Sequence, residues 1–197
     1  MTIGLTGPIG SGKSQVAAIW RKCGLHVIDC DVVYRELLTA SKVLQRAVLG
    51  EFPSVDDSGK INRAKLAEIV FNNADALARL EAVTHLHIAE EVAKKIADID
   101  GDVVIEAIAL LKSDIVRHCD CIVSVTAPPA LRIQRVVARD NLTVEQVQAR
   151  INAQPDDVYY REESDYCIEN DGTELELRKN ALKILEYCRS AQPANNK

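Results

Sequence analysis

Five short runs of the chain are apolar almost without interruption: Thr2–Thr6, His26–Cys30, Asp102–Glu106, Cys121–Thr126 and Tyr166–Ile168. A strand with one face in water alternates apolar and polar positions, whereas a strand covered on both faces does not. The runs therefore predict a parallel sheet buried between helices. Stretches of helical period separate them. "NRAKLAEIVF" opens with Asn62 as a cap and brings Leu66, Ile69 and Val70 to one face. After "NNAD", Leu77, Leu80, Val83 and Ile88 continue the period. "TAPPALRIQRVVARD" puts its prolines where a helix start needs no N–H donor, and "TVEQ" (Thr143 to Gln146) has capping-box spacing. Strands and helices in this alternation predict an α/β class: three layers around a doubly wound, parallel, five-stranded sheet, with the ligand site at the carboxyl edge of the strands.

The interval between the second and third strands, 31–101, is far longer than one crossover needs. It reads as a helical insert on the strand edge, the place for a substrate subdomain, with "DDSG" (Asp56 to Gly59) as a turn. The expected division is a single domain over 1–197, with a core of 1–32, 97–137 and 162–197, an acceptor-binding insert of 33–96 and a lid of 138–161. Arg132, Arg135 and Arg139 fall on one face of the helix that leads into the lid. The tail after Ser190, "AQPANNK", is polar and expected to fray.

Composition narrows the picture. A chain of 197 residues, 47% hydrophobic and 27% charged, has the material for one well-packed domain and not for two. A net charge of -5 gives no basic footprint, so nucleic acid is not expected as a partner. Six cysteines (Cys23, Cys30, Cys119, Cys121, Cys167, Cys188) form no C-x-x-C pair and mostly sit in apolar runs, as reduced thiols do. "HCDC" (His118 to Cys121) lacks a second ligand pair at zinc spacing and reads as a strand start. "MTIGLTG" has no basic or apolar leader region, and no apolar run approaches the ~18 residues that span a bilayer. A cytoplasmic protein follows, with no membrane association and no obligate protein partner evident.

"GPIGSGKS" fits G-x-x-x-x-G-K-[ST] with Gly7, Gly12, Lys13 and Ser14, between a strand and a helical stretch. Such a loop turns successive N–H groups toward phosphate oxygens. It assigns nucleotide binding to Gly7, Ile9, Gly10, Ser11, Gly12, Lys13, Ser14 and Gln15. Lys13 supplies charge at the β- and γ-phosphates and Ser14 a ligand for Mg²⁺, while the helix dipole adds a partial positive charge. Three classes use such a loop. A GTPase should carry an Asn-Lys-x-Asp guanine reader, which is absent. A mechanical ATPase should show a strand ending in acids, and "VVIEA" with Glu106 matches that weakly. Neither class explains "IDCD" (Ile28 to Asp31).

Small-molecule phosphoryl transfer does explain it. The end of the second strand faces the same cleft as the Lys13 loop, and a carboxylate there can take the proton of an incoming hydroxyl. Asp29 belongs to the strand, and Asp31 is the better candidate to project over the site. Both acids also fit a plainer role as solvated residues or caps of "VVYRELL". His85 and His87 fit a helix surface, and Glu106 a strand end.

"GLTGPIGSGKS", "VIDCDVVYR", "GKINRAKLAEIVF", "LEAVTHLHI", "RIQRVVARD" and "YCIEN" together resemble the dephospho-coenzyme A kinase family in order and spacing, over about residues 1–185. The resemblance implies a P-loop NTPase fold with helical insert and lid. It implies transfer of the ATP γ-phosphoryl group to the ribose 3′-hydroxyl of dephospho-coenzyme A. Asp31 matches the family's proposed general base, and Arg139 the lid arginine that reaches over ATP; with Lys13 these form the expected catalytic set. Arg35, Arg63 and His85 match acceptor-side positions, to which Glu106 is added, and Gln154 and Arg161 match lid positions. Pro8, Gln15, Leu86 and "EAIALLKS" depart from the family pattern. The alternatives are another nucleoside or nucleotide kinase on the same scaffold, or a non-catalytic NTP-binding switch.

Overall fold

The computed structural model describes residues 1–71 and 73–190. The polar tail expected to fray, and Asn72 of "NNAD", lie outside the described residues. Strands β1 (Thr2–Thr6), β2 (His26–Asp29), β5 (Val103–Glu106), β6 (Cys121–Thr126) and β7 (Tyr166–Glu169) form one parallel sheet in the order β2-β5-β1-β6-β7. Helix α1 (Lys13–Lys22) follows β1, and α9 (Glu174–Ser190) follows β7. They cover one face with Ile3, Leu5, Trp20, Val123, Ala181 and Leu185 between. Trp20 is fully buried and donates from Nε1 to Ala181 O at 2.8 Å, which fastens α1 to α9. Removing that ring should cost about 3–5 kcal/mol.

The other face meets α2 (Cys30–Ala40) and α5 (Ala74–Ala97) through Ile28, Val33, Ala89, Val92, Val103 and Ile105. Between them, α3 (Lys42–Glu51), a two-stranded hairpin of β3 (Asp56–Asp57) and β4 (Lys60–Ile61), and α4 (Arg63–Phe71) enclose a second core of Leu44, Val48, Phe52 and Val55. Of "DDSG", Asp56 and Asp57 form β3, and Ser58 and Gly59 make the hairpin's turn. Ser58 and Gly59 both have positive φ, 55 and 83°, which the right-handed twist of a tight hairpin requires. Asn62 caps α4, its Oδ1 accepting from Lys65 N at 3.0 Å.

Helices α6 (Pro129–Asp140), α7 (Val144–Asn152) and α8 (Asp157–Glu162) lie between β6 and β7. The capping box at Thr143 and Gln146 forms as its spacing predicts. Val136 of α6 and Val147 of α7 pack with Ile9, so these helices sit directly on the β1–α1 loop.

Three expectations change. The second strand ends at Asp29, because the Asp29 carboxylate accepts from Asp31 N and Val32 N and so starts α2 at Cys30. The third strand begins at Val103, after Asp102 turns to ion pairs with the chain's amino terminus and Arg189. The arginine stripe is not a uniform face. Arg132 is buried, donates from Nε to Ala127 O and pairs with Asp157, and Arg135 donates to the Asn170 carbonyl. Only Arg139 opens on the cavity described below.

Candidate active site

The β1–α1 loop holds its shape through contacts that leave no room for side chains. Gly7 has φ +136°, and a Cβ there would stand 2.1 Å from Val125 O of β6. Gly12 caps α1 with φ +102° and offers no side-chain oxygen to the first turn, whose amides then serve a ligand. Gly10 backs onto the Arg132 backbone. Ile9 N is met by Gln154 Oε1 at 2.8 Å, so a lid residue touches the loop directly. Ser11 is fully buried, and its Oγ has no hydrogen-bond partner among the described residues. Gln15 accepts a 3.4 Å bond from Asn170.

Lys13 is 7% exposed and donates from Nζ to Gly7 O (2.8 Å) and Pro8 O (3.1 Å). Burial lowers its pKa from 10.5 to about 8, against the opposing pull of Glu106 and Asp31. An ammonium held short of full stabilisation is one that incoming phosphates will hold better.

Strand register brings the acids together. Asp29 of β2 lies opposite Glu106 of β5, and Glu106 opposite Leu5 of β1, all at the carboxyl edge. Glu106 Oε1 accepts from Ser14 Oγ at 2.6 Å. Its carboxyl is pushed up chiefly by burial, then held down by Ser14 and Lys13, with Asp29 and Asp31 acting upward. Asp29 is committed to capping α2, which projects Asp31 from the first turn. Asp31 opens onto the cavity, and surrounding protein raises its pKa, by desolvation first and the Asp29 charge second.

One cavity of about 570 Å³ gathers most of the predicted residues: Ile9, Gly10, Lys13, Ser14, Asp31, Arg63, His85, Glu106, Arg139 and Gln154. Arg139 is tied for now to Asp140 by bonds of 2.7 and 2.9 Å. Arg35 is not on the wall; it is exposed and donates from Nε to Asp31 O at 3.0 Å, close enough to lower the Asp31 pKa. Arg161 is paired with Glu169, outside the cavity lining.

Among the described residues no group of three His, Cys, Asp or Glu side chains could hold a metal ion unaided. The oxygens that do converge, the Ser14 hydroxyl beside the Glu106 carboxylate with Asp31 on the same wall, are hard ligands. That set fits Mg²⁺, which keeps waters and binds substrate phosphates in addition to one or two protein oxygens.

A family model described as dephospho-CoA kinase matches residues 1–176. The chain belongs to the dephospho-CoA kinase family. A dephospho-CoA kinase of Thermobifida fusca (strain YX) is 35% identical over 190 residues, 94% of this chain and 95% of that protein. The crystal structure of TT1252 from Thermus thermophilus superposes with a TM-score of 0.82 at 31% identity, covering 98% of each chain. The dephospho-CoA kinase of Campylobacter jejuni has a TM-score of 0.67 at 24% identity, over 97% of this chain and 98% of that one, and shares the fold. The family catalyses the last step of coenzyme A synthesis, so the chain is a kinase that uses ATP.

Sequence reasoning about the dephospho-CoA kinase family missed several groups that shape this site. Asn170 is 3% exposed; its Nδ2 donates to Ser11 O at 2.8 Å and its carbonyl accepts from Arg135 Nη2 at 3.0 Å. It props the phosphate loop from behind, and "YCIEN" carries it without any local sign of that role. Tyr34, Phe71 and Arg150 also line the cavity. Tyr34 stands one turn after Asp31, a spacing that could have marked it.

Proposed function

We propose that this chain transfers the γ-phosphoryl group of ATP to the ribose 3′-hydroxyl of dephospho-coenzyme A, forming coenzyme A and ADP. The carrying observation is that Lys13, Ser14 and Asp31 line one cavity, with Asp31 presented by a helix start that Asp29 fixes. The loop amides and the first turn of α1 take the phosphates. Lys13 leaves Gly7 O and Pro8 O for the β- and γ-phosphate oxygens. Ser14, with Glu106 orienting its hydroxyl, would hold Mg²⁺, which supplies charge neutralisation between the phosphates. The acceptor oxygen forms its bond to phosphorus as the bond to the ADP oxygen breaks, and its proton goes to the Asp31 carboxylate. A carboxyl raised above its usual range is a better proton acceptor than a surface aspartate. Arg139, once released from Asp140, offsets charge on the moving group.

The insert of 33–96 takes the acceptor, with Arg63 and His85 on the cavity wall and Arg35 acting through its field at Asp31. The lid of 138–161 excludes water, which would otherwise receive the phosphoryl group. The boundaries at 32 and 137 fall inside α2 and α6, so insert and lid each begin as an extension of a helix rooted in the core. Both substrates are small molecules, and the reading is of a cytoplasmic enzyme; no helix among the described residues is long and apolar enough to cross a membrane. The test is incubation with Mg²⁺-ATP and a panel of acceptors, with products identified by mass spectrometry. Phosphorylated dephospho-coenzyme A is the expected product. Consumption of another acceptor in its place overturns the substrate, and no phosphorylated product overturns the reaction.

A further inference from the structure

Phe71 ends α4 with 40% of its surface exposed, while Leu66 and Val70 on the same helix are 3% and 5% exposed. The ring stands on the wall of the substrate cavity, and its face is not bare. The guanidinium carbon of Arg150, from α7, lies 4.7 Å from the ring centroid. One partner comes from the helices between β2 and β5 and the other from the helices after β6. A flat cation on a flat ring is the geometry that nucleobases enter, since bases stack on aromatic faces and on guanidinium planes alike.

We infer that Phe71 and Arg150 form the stacking site for the adenine base of the acceptor, an inference that rests on dephospho-coenzyme A being that acceptor. The reaction brings two adenines to the enzyme, and topology separates them. The β1–α1 loop cradles the phosphates of ATP, and the base of ATP lies beyond its α-phosphate, away from the transferred group. The acceptor hydroxyl must lie at Asp31, on the side that α2 and the following helices build. Phe71 belongs to that set. On the same insert wall Leu66, Val70, Leu77, Leu80 and Ile88 suit the flexible pantetheine arm more than a planar base, and of the two aromatic rings there, Tyr34 and Phe71, it is Phe71 that carries a guanidinium over its face. The base enters between ring and guanidinium, and α7 moves outward by the thickness of one ring, which links acceptor occupancy to the position of the lid.

Phe71→Leu keeps an apolar side chain on an exposed position and removes the aromatic face. In the whole protein it should raise KM for dephospho-coenzyme A about tenfold or more, leave KM for ATP unchanged, and be restored by Phe71→Trp. Arg150→Met should shift the same constant in the same direction. A second readout reports stacking directly. Dephospho-coenzyme A carrying a fluorescent 1,N6-ethenoadenine base should lose emission when it saturates the unaltered enzyme without ATP, and keep it on saturated Phe71→Leu. An unchanged acceptor KM, a raised ATP KM in its place, or equal quenching in both proteins overturns the assignment. If the unaltered enzyme leaves dephospho-coenzyme A unphosphorylated, the function itself fails, a result distinct from any of these.

Discussion

The Ser14 hydroxyl donates a 2.6 Å hydrogen bond to Glu106 Oε1 and so ties the first turn of α1 to the end of β5. Parallel pairing sets β5 beside β1, and α1 follows β1 directly, which brings the two groups within reach. Glu106→Gln keeps an acceptor for Ser14 and removes the charge. It should raise the Mg²⁺ concentration needed for half-maximal rate about tenfold or more, as loss of a supporting carboxylate does. Because Glu106 also holds the Lys13 ammonium in its charged form, the Lys13 pKa should fall below about 8 in the variant. Mg²⁺ titration at two pH values measures both effects, and an unchanged Mg²⁺ requirement would refute the role.

Lys13 is a stability cost retained for function. Its folded pKa of about 8 lies below the ordinary 10.5, so the unfolded chain binds more protons between those values. Stability therefore rises as pH climbs through that window, and the full cost is present below it. Lys13→Met should abolish activity yet stabilise the ligand-free protein at neutral pH by roughly 1–3 kcal/mol, after loss of the two Nζ hydrogen bonds. Thermal melts at about pH 7 and about pH 10 provide the check, since the advantage should shrink at the higher pH. A destabilised variant at neutral pH would mean that those bonds outweigh desolvation.

Continuity of apolar runs made the sheet legible, because strands covered on both faces have no polar side to interrupt them. Strand ends were less legible. Whether Cys30 closes β2 or opens α2 depends on where the Asp29 carboxylate points, and a string of letters does not say. The glycine spacing exposed the phosphate loop, whose geometry is local. Asn170, Phe71 and Arg150 reach the site from distant segments, and nothing in their neighbourhoods differs from an ordinary loop or helix end. Arg132 misled for the opposite reason. Its spacing put it on a face with Arg139, but its side chain curls back to Ala127 O and the Asp157 carboxylate.

Asp31 carries the acceptor's proton in the proposed reaction, so its titration should govern the acid side of the rate profile. Its carboxyl is raised first by desolvation from the surrounding cavity wall and then by the Asp29 charge. kcat/KM should climb with pH through a value above the usual carboxylate range, then fall near pH 8 as free Lys13 deprotonates. Asp31→Asn should reduce kcat by about a hundredfold or more with ATP affinity little changed. Turnover measured across pH and ATP binding by calorimetry address the two halves separately. Normal turnover in Asp31→Asn would remove Asp31 from the chemistry.

Asn170 acts on the nucleotide without facing the cavity. Its Nδ2 holds Ser11 O, and a Cβ at Gly12 would fall 2.1 Å from that same nitrogen, so amide and loop are packed against each other. Asn170→Ala leaves the Ser11 carbonyl without its donor and should cost about 1–3 kcal/mol of stability. The loop's amides then spread over more orientations, and ATP affinity should fall several-fold, while KM for the acceptor stays the same. Asn170→Asp separates shape from chemistry. The carboxylate fills the same volume, gives Ser11 O no donor, and places negative charge behind a loop built to attract phosphates. ATP affinity should therefore fall further in Asn170→Asp than in Asn170→Ala. The reverse order would show that Asn170 fills space and does not hold the loop through its amide.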